Sequence, residues 1–237
     1  MTLLEHLEEL RSRLVWVAVS VSVAGVGGWF LFRPVVDLLL EPACPFLQDS
    51  PTGCKLVFVG PLDAFTLRLK VAIYIGFGIA FPIVLYHFWR FIAPGLKSKE
   101  KKYAIPFVTS GMALFSTGVW FAFFTLPQAL GFLIGPAITG GVIAPLLTAK
   151  EFISFMLLYL AAFGLAFEFP LVLMFLSLAG VVSSRQMSKY RRHVFMGIAF
   201  AVAFLTPSAD AYTMIVLTAA LYVMYEGCIW LSRLLKR

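Results

Sequence analysis

The chain has 237 residues, of which 61% are hydrophobic and 13% charged, and it carries a formal net charge of +7. Ordinary soluble domains carry about 25% charged residues, so this composition excludes one and points to a single helical bundle in lipid. No stretch of the sequence alternates as barrel strands do, which leaves an all-α, polytopic membrane protein.

In chain order, residues 1–13 come first, acidic and amphipathic, with Leu3, Leu7, Leu10 and Leu14 at helical spacing. Such a segment is expected to lie on the membrane surface. No small-residue cleavage site follows the first apolar run, so the first helix reads as an uncleaved start signal. A spanning helix needs about 20 apolar residues. Six candidates follow at about 14–32, 65–88, 104–126, 152–182, 194–206 and 212–230, and 1–237 is read as one transmembrane domain. A proline-rich polar loop separates the first two spans, and a Gly/Pro-rich connection separates the third from the fourth. Residues 183–192 form a polar break, and Pro207-Ser208-Ala209-Asp210 makes an outer turn. The fifth segment has only 13 residues. At about 1.5 Å per residue it reaches about 20 Å, short of a hydrocarbon core of about 30 Å. A true but short span is expected, because its basic flank and the turn after it fall on opposite sides.

Lysine and arginine set the orientation. Fourteen of the 19 basic residues fall on one side: the N-terminal Arg11 and Arg13, the 90–102 and 185–192 loops, and the C-terminal end. That side is cytoplasmic, and six spans return the C-terminus to it. Orientation thus accounts for the net charge, and no nucleic-acid partner is required. Cys44 and Cys54 share the first outer loop, where an oxidising compartment permits either a disulfide or two separate thiols. Cys228, near the inner end of the sixth helix, has no evident mate.

Polar groups that lipid penalises are the candidates for function. Glu5 and Glu9 lie four residues apart on the N-terminal helix, forming either a solvated face with a Glu9–Arg13 pair or an acidic face for a cationic ligand. Glu100 is the acid within the basic inner loop, and alone it reads as a surface ion pair of little worth. Glu168 lies near the middle of the fourth span, where an acid costs roughly 2.5–3.5 kcal/mol on insertion scales. It is either a satisfied structural acid or a group facing a cavity, and Pro170 should kink the helix beside it. Glu226, near the inner interface, is explained by snorkelling. Enzyme chemistry lacks its parts: there is no HExxH motif, no P-loop and no intramembrane aspartate pair. Neither a cofactor nor a metal is expected.

Four sequence motifs occur in order. They are His6-Leu7-Glu8-Glu9-Leu10-Arg11-Ser12-Arg13-Leu14, then Phe88-Trp89-Arg90-Phe91-Ile92-Ala93-Pro94-Gly95-Leu96 followed by Glu100-Lys101-Lys102. Phe163-Gly164-Leu165-Ala166-Phe167-Glu168-Phe169-Pro170 comes next, then Thr206-Pro207 with Asp210 and Tyr225-Glu226. Together they resemble the TatC family, the multispanning receptor subunit of the twin-arginine protein translocase. The resemblance implies a glove-like, concave six-helix fold with short fifth and sixth helices. It implies that Glu9 and Glu100 bind the paired arginines of a signal peptide, with Arg11, Phe91 and Pro94 shaping that site. By the same resemblance Glu168 faces the concave cavity. The implied partners are signal peptides of folded substrates, single-span TatA and TatB-type subunits, and further copies of the chain, all in the cytoplasmic membrane. The rival reading is a secondary transporter for a small cation or amine, with Glu168 as coupling acid. It predicts paired broken helices in two repeats, and the sequence offers no counterpart of Glu168-Phe169-Pro170 in its first half.

Overall fold

A computed structural model describes residues 3–47, 55–92, 104–138, 147–178, 180–206 and 210–235. Its helices are α1 (Leu3–Phe30), α2 (Phe32–Leu40), α3 (Cys44–Leu47), α4 (Asp63–Ile92) and α5 (Ala104–Ile138), followed by α6 (Ala149–Ala166), α7 (Phe169–Leu178), α8 (Ser184–Lys189), α9 (Arg191–Leu205) and α10 (Ala211–Leu235). Five stretches of described residues are long and apolar enough to cross a membrane: Leu7–Phe30, Asp63–Phe91, Ile105–Ile134, Ala149–Leu178 and Ala211–Leu234. The sixth apolar segment is α9, whose 15 residues give about 22 Å, so the expected short fifth helix is present.

Boundaries shift where polar residues continue a helix. The amphipathic start and the first span form one helix, α1. The expected proline-rich loop holds α2, a 3-10 turn at Glu41–Ala43 and α3. Helix α2 places Pro34 in its first turn, where the missing N–H is harmless. Helix α5 runs past Pro127 into the Gly/Pro-rich connection. The polar break contains α8, whose start is secured by a capping box: Gln186 N donates to Ser183 Oγ (3.2 Å) and Ser183 N to Gln186 Oε1 (2.8 Å). The sixth helix, expected at about 212–230, runs Ala211–Leu235 because residues 231–235 prolong it beyond its apolar run, and at 25 residues it stays shorter than α4 (30) and α5 (35).

The chain divides into two compact units, each drawn from three stretches of sequence. Residues 1–41, 56–113 and 148–157 form the first. Its centre is the packing of α1 on α4, made close by glycines. A Cβ built on Gly76 meets the Gly25 nitrogen and the Val21 carbonyl oxygen at 2.6 Å, and one on Gly28 meets the Ala72 oxygen at 2.7 Å. The two backbones therefore touch, as small-residue faces allow in lipid. At the opposite edge of this unit, Asp63 opens α4. Its carboxylate accepts from Gly60 N (2.8 Å) and pairs with Lys150 Nζ (2.9 Å), while Ala149 N donates to Val57 O (2.8 Å). These bonds tie the start of α4 to the start of α6.

Residues 42–55, 114–147 and 158–237 form the second unit. Here the latter part of α5 meets α6 through Gly118, where a Cβ would lie 2.7 Å from Phe163 O, and through a Thr125–Tyr159 hydroxyl bond of 3.1 Å. Helix α10 packs on α7, α8 and α9. The buried bond between Ser177 and Ser232 hydroxyls (2.6 Å) and that from Tyr225 Oη to Met187 O (2.8 Å) secure it. Gly180, at φ +77°, ends α7 with Val181 N donating to Leu176 O (3.0 Å), a conformation that favours glycine.

Candidate functional site

Three acids in the described residues occupy distinct settings. Glu9 sits in the second turn of α1. Its carboxylate accepts from Arg13 Nη2, four residues on, and Arg13 Nη1 donates to His87 O (3.4 Å) near the far end of α4. The two charged side chains are largely covered, at 12% exposure for Arg13 and 23% for Glu9. Phe91 lies one turn beyond His87 and is half-buried, while Arg11 points to the exposed side of α1. Glu9, Arg13 and the last turns of α4 therefore share one end of the first unit. Glu100 and Pro94 lie outside the described residues. The bland alternative from sequence, a Glu9–Arg13 pair, is realised, and it equally displays a carboxylate seating a guanidinium.

Glu168 stands at the two-residue break between α6 and α7. Glu168 N donates to Leu165 O (3.1 Å), tightening the last turn, and Glu168 O accepts from Val172 N (3.2 Å). Pro170 then sits in the first turn of α7. The discontinuity thus lies just before the proline, where the ring would clash with a continuing helix. Both Glu168 carboxylate oxygens are buried, and neither has a hydrogen-bond partner among the described residues. The rings of Phe121 and Phe167 lie 5.6 Å apart beside this break. An acid left unbonded in an apolar span requires water, a proton or a polar group from elsewhere.

Glu226 corrects the sequence reading. It does not snorkel alone: Arg191 Nη2 donates to Oε2 (2.7 Å) and Tyr222 Oη to Oε1 (3.1 Å). A signal for this pair existed in the sequence. Arg191 and Glu226 each lie 16 residues from the Pro207-Ser208-Ala209-Asp210 turn, and in an antiparallel hairpin equal spacing means equal depth. Asp210 is buried at the head of α10, where Oδ1 accepts from Thr213 N (2.7 Å). It acts as a helix cap. Cys44 begins α3, Cys54 lies outside the described residues, and Cys228 is a buried free thiol beside Pro170 O (3.5 Å).

Residues 5–219 match the family described as Sec-independent protein translocase protein (TatC). The chain is 38% identical to the Sec-independent protein translocase protein TatC of Aquifex aeolicus, over 100% of this chain and 97% of that one. It is also 38% identical to the protein of the same name from Frankia casuarinae, over 98% of this chain but only 66% of that longer one. A crystal structure described as the twin arginine translocase receptor TatC superposes with a TM-score of 0.80 at 33% identity, covering 98% of this chain and 100% of that one.

Proposed function

This chain belongs to the TatC family of Sec-independent protein translocase proteins, and from that premise we propose that it is the signal-peptide receptor of a twin-arginine translocase. As a member of that family it is a transport component and not an enzyme. The rival reading, a small-cation transporter coupled through Glu168, gives way to the family match over residues 5–219.

The observation that carries the proposal is the seating of Arg13 on Glu9. A largely covered carboxylate at the end of α1 already accepts a guanidinium, beside the turn of α4 that bears Phe91. In the receptor a signal-peptide arginine engages Glu9 in Arg13's place, and Glu100 takes the second arginine. Arg11, Phe91 and Pro94 shape the surroundings. Guanidinium is planar, always charged and able to fork onto a carboxylate, whereas lysine offers a single hydrated point. The testing experiment is direct binding of a twin-arginine signal peptide and its twin-lysine counterpart to the purified chain. The arginine form is expected to bind about tenfold or more tightly, since a charge-assisted bond is worth roughly 1.5–3 kcal/mol. Equal binding removes the receptor reading.

The topology that serves this role has both termini in the cytoplasm of the cell, with Glu9 and Glu100 facing arriving substrates. Glu168 lies along the path of the signal's apolar stretch and responds to its insertion by hydration or by taking a proton. Its unbonded buried oxygens support that reading. Glu168→Gln keeps the side-chain volume but removes the charge, so transport of a folded reporter is expected to fall while peptide binding persists. Wild-type transport by that variant sinks the idea. Single-span TatA and TatB-type subunits and further copies of the chain complete the assembly. On the outer side, where an oxidising compartment permits a bridge, we propose that Cys44 pairs with Cys54.

A further inference from the structure

Arg68 is a cation inside a spanning helix with no acid paired to it among the described residues. It lies five residues into α4, about 7.5 Å below Asp63 along the axis. Asp63 itself is taken by Lys150, and Arg68 forms no ion pair among the described residues. Its guanidinium carbon sits 4.5 Å from the Trp29 ring centroid and 5.6 Å from that of Phe32. One nitrogen, Nη2, donates to Trp29 O at 3.4 Å, a long bond. Nε is buried and has no hydrogen-bond partner among the described residues. The aromatic shelf orients the guanidinium face and leaves the rim donors of its outer edge for an acceptor, in the manner of stacked arginines.

The surroundings say which acceptor. Trp29 contacts Phe65 edge-on at 6.0 Å, so three aromatic rings gather at the Asp63 end of α1 and α4, as at a membrane–water interface. Arg33, next to Phe32 on α2, is exposed and also forms no ion pair among the described residues. Asp37, one turn along α2, pairs with neither. Arg68 therefore lies on an aromatic shelf near the Asp63 end of a spanning helix, with the exposed Arg33 next to Phe32 in sequence, in the region that a lipid headgroup reaches. Charge balance favours an acceptor with a net negative charge.

We propose that Arg68, backed by Trp29 and Phe32 and assisted by Arg33, is a binding site for the phosphate of an anionic phospholipid in the leaflet at the Asp63 end of α4. The phosphate forks onto the outer edge of Arg68, and the acyl chains run down the apolar flank of α1 and α4. This site belongs to the first unit and is separate from Glu9, which lies at the other end of α1.

Native mass spectrometry of the full chain in detergent, titrated with phosphatidylglycerol, tests it. Arg68→Gln is expected to reduce phosphatidylglycerol retention about tenfold, and Arg68→Lys to reduce it less, since the charge remains without the fork. Phosphatidylethanolamine is expected to be retained weakly by all three. Retention by Arg68→Gln equal to wild type overturns the proposal. So does displacement of the lipid by millimolar inorganic phosphate, which would make this a soluble-anion site. Should Arg68→Gln fail to fold, a photoactivatable phosphatidylglycerol on the wild-type chain decides instead. Cross-links enriched at residues 29–33 and 65–69 support the site, and cross-links spread evenly over the spans overturn it.

Discussion

Replacing Glu9 with glutamine is expected to lower the affinity for a twin-arginine peptide by about tenfold to a hundredfold, with little change for the twin-lysine form. The substitution preserves the shape of the side chain and removes only its charge, so the loss reports on charge-assisted bonding and not on packing. In the resting chain this carboxylate is engaged by Arg13, which also reaches His87 O. On the proposed receptor role a peptide arginine would exchange with an internal one, and the net gain would be smaller than that of a bond formed from solvent. That competition has a sign. Arg13→Gln removes the internal competitor and is expected to raise peptide affinity, whereas Glu9→Gln lowers it. If Arg13→Gln instead weakens binding as much as Glu9→Gln, Arg13 orients the carboxylate and the exchange picture is wrong. Isothermal titration or fluorescence anisotropy with both peptides measures each arm.

The second large effect belongs to the α1–α4 contact. Gly76→Ala places a methyl group 2.6 Å from the Gly25 nitrogen and the Val21 oxygen, both backbone atoms that cannot rotate aside. The helices must separate along their whole contact, forfeiting dispersion over many atom pairs. Overpacking of this kind destabilises by about 1–3 kcal/mol, and a larger side chain such as leucine should prevent the pair from forming. Gly78 is the matched control. It lies two residues along the same helix, and a Cβ there meets nothing within 4 Å. Gly78→Ala is expected to be neutral or stabilising, since alanine is favoured over glycine in a helix interior by about 1 kcal/mol. Thermal unfolding of the three proteins in one detergent separates them. Equal midpoints for the two variants would mean that α1 and α4 do not approach as closely as the glycines imply. The contact also bears on the proposed receptor site, because it brings Glu9 and Arg13 to the turns of α4 that carry His87 and Phe91.

These two regions illustrate what linear reading captures. The spans were legible because lipid imposes a local requirement: about 20 consecutive apolar residues, summed along the chain regardless of neighbours. Glu168 was legible for the same reason, as an acid in an otherwise apolar run. The shortness of α9 followed from counting. Motif order carried the family resemblance, and the match over residues 5–219 agrees with it.

Pairing was not legible in that way. Glu226 looked like a lone interfacial acid, because its partner Arg191 lies 35 residues away on another helix and only their equal spacing about the turn between them hints at the pair. The Asp63–Lys150 bond spans 87 residues and joins the starts of two helices. The close approach at Gly76 depends on the rotational phase of α1 against α4, which glycine content alone does not reveal. Helices in the presumed loops, α2 and α8, were missed because a hydropathy reading notices length and overlooks short amphipathic or capped segments.

By itself, then, the sequence determined the class of protein, the number of apolar segments and the residues whose chemistry stands out in lipid. Each of these depends on residue type and order along the chain. The tertiary structure decided which charges on different helices compensate one another and which helices touch backbone to backbone. Those features depend on distances between segments far apart in sequence, and only the packed helices set those distances.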